Sequence, residues 1–378
     1  MNAAQEVAMR RLGCVLAVLA VLASASCGGG KVVVGVVLPI TGEASAYGTS
    51  INSGTKLGFD EAIKSRNAPP GLEVIYRDTG SDSNRAAAEA ESLFKQGALI
   101  VIGGATSPEA KSMIPAAERH GKVVISPSAT EPGLAASSNL FFRVYPSDEI
   151  EGVVAAQFLG VGKGAKSLLV LKEEISYTRG LLPIFREEYL KHGGKIVAEL
   201  TIGDGNWDTL LGDALTKEKP DAIYVAGYGD AILQAIRDLR DKKYEGTVCT
   251  TSAIGTADLV WQGGTLVEGV YFPMVKLDMA SSKEPLKSFV ARYKAANNNL
   301  VPDVYAAHGY DAALVTLAAI ADPRPKATSE LLQRLMSLGD QMGVTGPMTF
   351  DGVGNTTHQP RIHCIRAAKV EDCDPRPL

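Results

Sequence analysis

A chain of 378 residues is too long for one ordinary core, so two domains are expected. With 46% hydrophobic and 21% charged residues it is globular in composition and not disordered. A formal net charge of −4, with no basic runs, argues against nucleic acid as a partner.

In chain order, the first 27 residues read as an export segment. Arg10 and Arg11 give a positive start, residues 12–23 are almost wholly apolar, and Ser24, Ala25 and Ser26 lead to Cys27. The apolar run falls short of the ~20 residues of a spanning helix, so a cleaved signal fits it better. Met9 offers an alternative start. Small residues ending in a Cys before Gly28-Gly29-Gly30 resemble a bacterial lipoprotein signal, although Ser24 stands where Leu is usual. That resemblance implies lipidation of Cys27 and a lipid-anchored place in the periplasm or on the outer face of the cell membrane. Ordinary cleavage nearby would leave a soluble periplasmic protein. No other apolar run is long enough to span.

From residue 31 onward, short apolar runs alternate with helical patterns. Strands are expected at 32–38, 72–76, 99–102, 123–125, 168–171, 195–200, 222–225, 247–250 and 270–272. Most lack polar alternation, as strands covered by helices on both faces do. Helices are expected at 48–65, 84–96, 108–119, 148–159, 180–191, 208–217, 231–240, 284–296 and 304–320, with apolar positions at three and four spacing. In the helix at 148–159 the apolar stripe is Ile150, Val153, Val154 and Phe158. Such alternation predicts an α/β fold with parallel sheets and right-handed crossovers. Nine units exceed one comfortable sheet, and a break is expected near 142–147.

Open parallel sheets bind ligands beyond the carboxyl ends of their strands, so the loops there are the places to inspect. After the strand at 99–102 comes Gly103-Gly104-Ala105-Thr106-Ser107-Pro108-Glu109. Pro108 suits the first helical position, which makes Ser107 the expected N-cap beside a helix start that attracts anions. By itself the loop is a plain cap. After 123–125 comes Ser126-Pro127-Ser128-Ala129-Thr130-Glu131-Pro132, a stiff loop rich in hydroxyls and free amides. Two such loops side by side suggest a carboxylate site. A third, Ala226-Gly227-Tyr228-Gly229-Asp230, would set Tyr228 over a strand end, with Asp230 capping the next helix.

At these loops the sequence resembles the type I periplasmic binding proteins, in particular the branched-chain amino-acid (Leu/Ile/Val) binding family of ABC transporters. The resemblance covers roughly residues 31–355. It is carried by VGVVLPITGEASAYGTSINSGTKLGFDEA (34–62), VIGGATSPEAKSMIPAAERHGKVVISPSATEPGL (101–134) and NWDTLLGDALTKEKPDAIYVAGYGDAILQAIRDLR (206–240), in the family's order. It implies two Rossmann-like lobes joined by a three-crossing hinge, about 31–145 plus 275–350 and about 146–274 plus 351–378. Between them a small carboxylate-bearing ligand would be trapped and passed to the permease subunits of a transporter. Carried over by position, the family's contacts put the ligand carboxylate on Ser107, Ser128 and Thr130. Tyr47 lines the first lobe, while Tyr177, before the helix at 180, and Tyr228 close from the second.

One departure bears on the ligand. Amino-acid binders of this family place an acid in the loop after the strand at 247–250 to pair with the ammonium. Here that loop reads Thr250-Thr251-Ser252-Ala253-Ile254-Gly255, with Ser252 the nearest equivalent. An unpaired buried ammonium would cost several kcal/mol. Either Glu173, Glu174 or Asp230 substitutes, or the ligand is an aromatic or aliphatic carboxylic acid or small amide without an ammonium.

An enzyme is not expected. No nucleophile elbow, zinc-protease, phosphate-loop or dinucleotide motif is present, and Gly160-Val161-Gly162-Lys163-Gly164 has neither phosphate-binding spacing. The five histidines are scattered, with His308 read as a core residue, so no metal site and no cofactor are expected. A sensor subunit presenting the same kind of ligand is the remaining alternative. Cys364 and Cys373 could close a small loop in an oxidising compartment, worth about 2–3 kcal/mol by chain entropy. Cys249, in a strand-like run, reads as a buried inert thiol.

Overall fold

The computed structural model describes residues 31–277, 281–339 and 341–374. The export segment, including the lipidation candidate Cys27, lies outside the described residues.

The first lobe winds through β1 (Val32–Leu38), α1 (Ser45–Lys64), β2 (Leu72–Asp78), α2 (Ser83–Lys95), β3 (Ala98–Gly103), α3 (Ser107–His120), β4 (Val123–Ser126), α4 (Leu134–Ser137) and β5 (Phe141–Arg143). Its sheet runs β2-β1-β3-β4-β5, and every pairing is parallel. All seven residues of β1 are buried, as a strand sandwiched between helix layers requires.

The second lobe continues through α5 (Asp148–Gln157), a π-helical turn at Phe158–Gly162, β6 (Ser167–Lys172), α6 (Ser176–Lys191), β7 (Lys195–Thr201), α7 (Trp207–Asp213), β8 (Ala222–Ala226), α8 (Gly229–Asp241), β9 (Thr247–Thr250), α9 (Ala257–Gly263) and β10 (Tyr271–Val275). The chain then forms α10 (Leu286–Ala296), α11 (Val304–Ala319) and α12 (Thr328–Met336) before β11 (Pro360–Arg366) and β12 (Lys369–Asp372). The second sheet is ordered β12-β11-β10-β9-β8-β6-β7. Its core is parallel, but β11 and β12 add antiparallel edges, a departure from the wholly parallel sheets expected. A disulfide between Cys364 and Cys373 ties those two edge segments, while Cys249 is buried and free.

Three passages join the lobes: one after β5, one after β10 and one before β11. Arg143 knits two of them. Its N–H donates to Gly354 at 3.0 Å, its carbonyl accepts from Thr356 at 3.1 Å, and its Nε donates to the Asn355 side chain at 2.7 Å. Helix α11 returns to the first lobe and lies along α1. Glycines permit that approach, since a Cβ on Gly54 would sit 1.8 Å from the Ala306 carbonyl oxygen. His308, buried on α11, donates its Nδ1–H to the Val304 carbonyl at 2.8 Å, and burial holds it down at about 3, neutral.

Candidate functional site: a tyrosine-lined cleft between the lobes

The strand ends of both sheets face each other across the cleft, and hydrogen bonds cross it directly. The loop after β3 begins α3 with a capping box. Thr106, not Ser107, is the N-cap; its hydroxyl accepts from Glu109 N at 3.4 Å, and the Glu109 carboxylate accepts from Thr106 N at 3.3 Å. The T-x-x-E spacing of the box sets the cap one residue earlier than Pro108 suggested. Ser107 therefore sits inside the first turn, where its N–H has no partner within the helix. That N–H donates to the Tyr228 hydroxyl of the opposite lobe at 3.1 Å.

The hydroxyls of the front loops hold the loops to one another. Ser107 Oγ accepts from Thr130 N at 3.3 Å and from Glu131 N at 3.1 Å. Ser128 Oγ donates to the Ala105 carbonyl at 2.6 Å. Thr130 Oγ1 donates to Asp148 Oδ2 at 2.8 Å. Arg143, fully buried, donates from Nη1 to the carbonyls of Glu131 at 2.9 Å and Ala129 at 3.4 Å, which aims the loop's amides away from the guanidinium.

Tyrosines fill the space between. Tyr47 donates its hydroxyl proton to the Ala253 carbonyl at 2.8 Å and accepts from Gly229 N at 2.9 Å, so it bridges the lobes. Tyr177 stacks on Tyr228 with ring centres 5.0 Å apart. It lies within the first turn of α6, which begins at Ser176, several residues earlier than the helix expected at 180. Tyr305 packs edge-on to Tyr47 and stacks on Tyr145. Burial raises the phenol pKa of Tyr47, Tyr177, Tyr228 and Tyr305, so all stay neutral donors.

The structure thus brings Tyr47, Ser107, Ser128, Thr130, Tyr177, Tyr228 and Ser252 to one cleft. Of the three acids considered as an ammonium partner, Glu173 is half-buried at the cleft with one oxygen engaged, and the other two are exposed. Glu173 commits Oε2 to the N–H of Tyr228 at 2.9 Å. Glu174 is exposed and pairs with Lys172 and Arg179. Asp230 is exposed and is not a cap, since α8 starts at Gly229 with Tyr228 at the cap position and no side-chain cap bond.

Two other acids also occupy the cleft. Glu151 accepts from Ser252 N at 2.8 Å and from Ser252 Oγ at 2.7 Å, and only 2% of its surface is exposed. Asp148 is fully buried one turn away on the same helix. Burial and mutual repulsion raise the proton affinity of Asp148, and burial raises that of Glu151 to about 7. Sequence reasoning missed both because it took the stripe 150–153–154–158 as the inner face of α5. Val154 and Phe158 of that stripe are indeed buried, but the buried face is wider and takes in 148, 151, 155 and 159 as well. An acid at i and i+3 on a face continued by Ala155 and Leu159 was the available signal.

No metal-ligand cluster and no helix long and apolar enough to cross a membrane occur among the described residues.

A profile of the family described as "Periplasmic binding protein" matches residues 31–374. The leucine-, isoleucine-, valine-, threonine- and alanine-binding protein of Pseudomonas aeruginosa is 23% identical over 322 residues, 84% of this chain and 85% of that one. The Leu/Ile/Val-binding protein of Escherichia coli K12 is 24% identical over 288 residues, 71% of this chain and 77% of that one. Among solved structures, the branched-chain amino acid transporter substrate-binding protein LivJ from Streptococcus pneumoniae, in complex with isoleucine, superposes with a TM-score of 0.84 at 26% identity, over 91% of this chain and 99% of that one. A solute-binding protein from R. palustris in complex with benzoate superposes at 0.80 with 18% identity, over 91% of this chain and 96% of that one, a likeness of fold alone.

Proposed function

Because the chain belongs to the periplasmic binding protein family, we propose that it is the extracytoplasmic solute-binding subunit of an ABC transporter, taking a small carboxylate by closing its two lobes. Its homologues are binding proteins and not enzymes. One observation carries the reading: the first-turn N–H of Ser107 reaches across the cleft to a tyrosine oxygen. A ligand carboxylate oxygen in that position meets the same donor, the positive end of the α3 dipole, and the amides of the loop at 128–131. Tyr47, Tyr177 and Tyr228 then cover the ligand body. Binding favours the closed form only through contacts that form there and not in the open form.

The relatives that bind Leu, Ile and Val support an amino acid as the solute. The absence of an acid in the loop 250–255 favours a second reading, a carboxylic acid without an ammonium, as in the benzoate complex of similar fold. In either case the permease is the partner, and a lipid on Cys27 would keep the subunit at the membrane.

The test is calorimetry with L-leucine, 4-methylpentanoate and L-leucinamide. A carboxylate requirement predicts no detectable heat from the amide. Equal affinity for the amide and the acids would sink the carboxylate reading.

A further inference from the structure

Resting on that carboxylate reading, we propose that the Glu151 and Asp148 carboxylates on α5 are the acceptor for the ligand's ammonium group, which makes the solute a zwitterionic α-amino acid.

The two acids stand three residues apart in the first turn and a half of α5 and so share one face. Neither forms an ion pair with a Lys or Arg among the described residues. The nearest guanidinium, that of Arg143, is committed to two carbonyls and Asn355. Oδ1 of Asp148 has no hydrogen-bond partner although the residue is completely buried. Buried polar atoms are nearly always satisfied, so an orphan acceptor in a binding cleft points to a donor that arrives with the ligand. Each oxygen of Glu151 accepts one hydrogen bond from Ser252 and keeps further acceptor capacity.

Position supports the same conclusion. Thr130 donates to Asp148, so the acid pair adjoins the loop assigned to the ligand carboxylate. Ser252 stands in the loop where an acid was looked for, and Glu151 lies directly behind it. The loop thus borrows its negative charge from a neighbouring helix. Tyr145, Tyr177, Tyr224 and Tyr305 surround Glu151 closely enough for its charge to act on all four phenols. An α-amino acid carries its two charges one carbon apart, matching anion-binding amides and buried acids that meet at Thr130.

The experiment screens the twenty L-amino acids and 4-methylpentanoate by thermal shift. It then measures, by calorimetry, the strongest amino acid against its deamino counterpart in wild type, Glu151→Gln and Asp148→Asn. The expected result is wild-type discrimination for the amino acid of at least a hundredfold, falling at least tenfold in either variant. Both substitutions preserve side-chain shape, so one folded variant of the two suffices. Discrimination unchanged in both variants, or a wild type that prefers the deamino acid, overturns this inference and leaves the carboxylate reading standing. If no amino acid and no carboxylic acid shifts the melting temperature, the carboxylate reading falls and the inference with it.

Discussion

The hydroxyl of Tyr228 accepts the N–H of Ser107 across the cleft at 3.1 Å, so the rear lobe satisfies the front lobe's anion-binding amide. Self-satisfaction of this kind competes with ligand. Replacing Tyr228 by Phe keeps the ring that stacks on Tyr177 and removes the competing oxygen. One net hydrogen bond is worth about 0.5–1.5 kcal/mol. Tyr228→Phe is therefore expected to tighten binding of a carboxylate ligand by two- to tenfold in calorimetry. Small-angle scattering of the ligand-free variant should show a larger radius of gyration than wild type. Weakened binding with no change in size would mean that the hydroxyl contacts the ligand.

Ser107 also braces the neighbouring loop, and that changes what its removal does. Its Oγ accepts from both Thr130 N and Glu131 N, and all three residues are buried. Ser107→Ala leaves two donors short of a partner, at about 1–3 kcal/mol for each that stays unsatisfied. Urea unfolding without ligand is expected to show a loss of at least about 1 kcal/mol. A serine that served ligand alone would leave that midpoint where it was.

Much of the fold was legible because its strands are simple. β1 and β9 occupy the ranges expected, since uninterrupted β-branched runs between helix patterns admit few other readings. The edge strands β11 and β12 were not legible. They carry charged and polar residues such as Arg361, His363, Lys369 and Glu371, and they owe their form to pairing, β11 with β10 and β12 with β11, rather than to their own pattern. At the site, loop chemistry picked out the right residues but the wrong details. Thr106 takes the cap because Glu109 closes the box, and Glu151 escaped notice because an acid in a first helical turn ordinarily faces water. Tertiary burial decides such cases, and a single sequence carries little of it.

The α1–α11 seam makes a sharp stability prediction. Gly54 and Gly309 let the two helix backbones touch; added Cβ atoms would meet the Ala306 and Ile51 carbonyl oxygens at 1.8 and 2.3 Å. Backbone cannot move aside as a side chain can. Overpacking of this sort costs about 1–3 kcal/mol or more. Gly54→Ala and Gly309→Ala should each lower the melting temperature by several degrees, although Ala is the better helix former. An unchanged or raised melting temperature in scanning calorimetry would show that the helices can separate freely.

Stability against pH follows from the buried acids. Burial raises Glu151 to about 7 from 4.5 and Asp311 to about 6 from 3.8, the latter despite bonds from Val344 N, Thr345 N and the Thr345 hydroxyl. Arg143, Glu131, Glu149 and the tyrosines around α5 set the field that Glu151 and Asp148 share. Both folded-state values lie above the unfolded ones, so the unfolded chain gives up its protons first as pH rises. Their contribution is complete below about pH 4 and is lost progressively toward pH 7, on the order of 3 kcal/mol for Glu151. The buried neutral histidines His308, His358 and His363, whose values burial lowers, gain stability over the same range, so the acid is isolated by comparison with a variant: Glu151→Gln should grow more stable to urea relative to wild type between pH 5.5 and pH 8. A cationic ligand group reverses the relation, because it binds the ionised acids. Amino-acid affinity should then climb between pH 6 and pH 8, where the ligand's own ammonium does not titrate. A stability gap between Glu151→Gln and wild type that does not change from pH 5.5 to pH 8 in the ligand-free protein would show that Glu151 is already ionised in the closed cleft and carries a counter-charge.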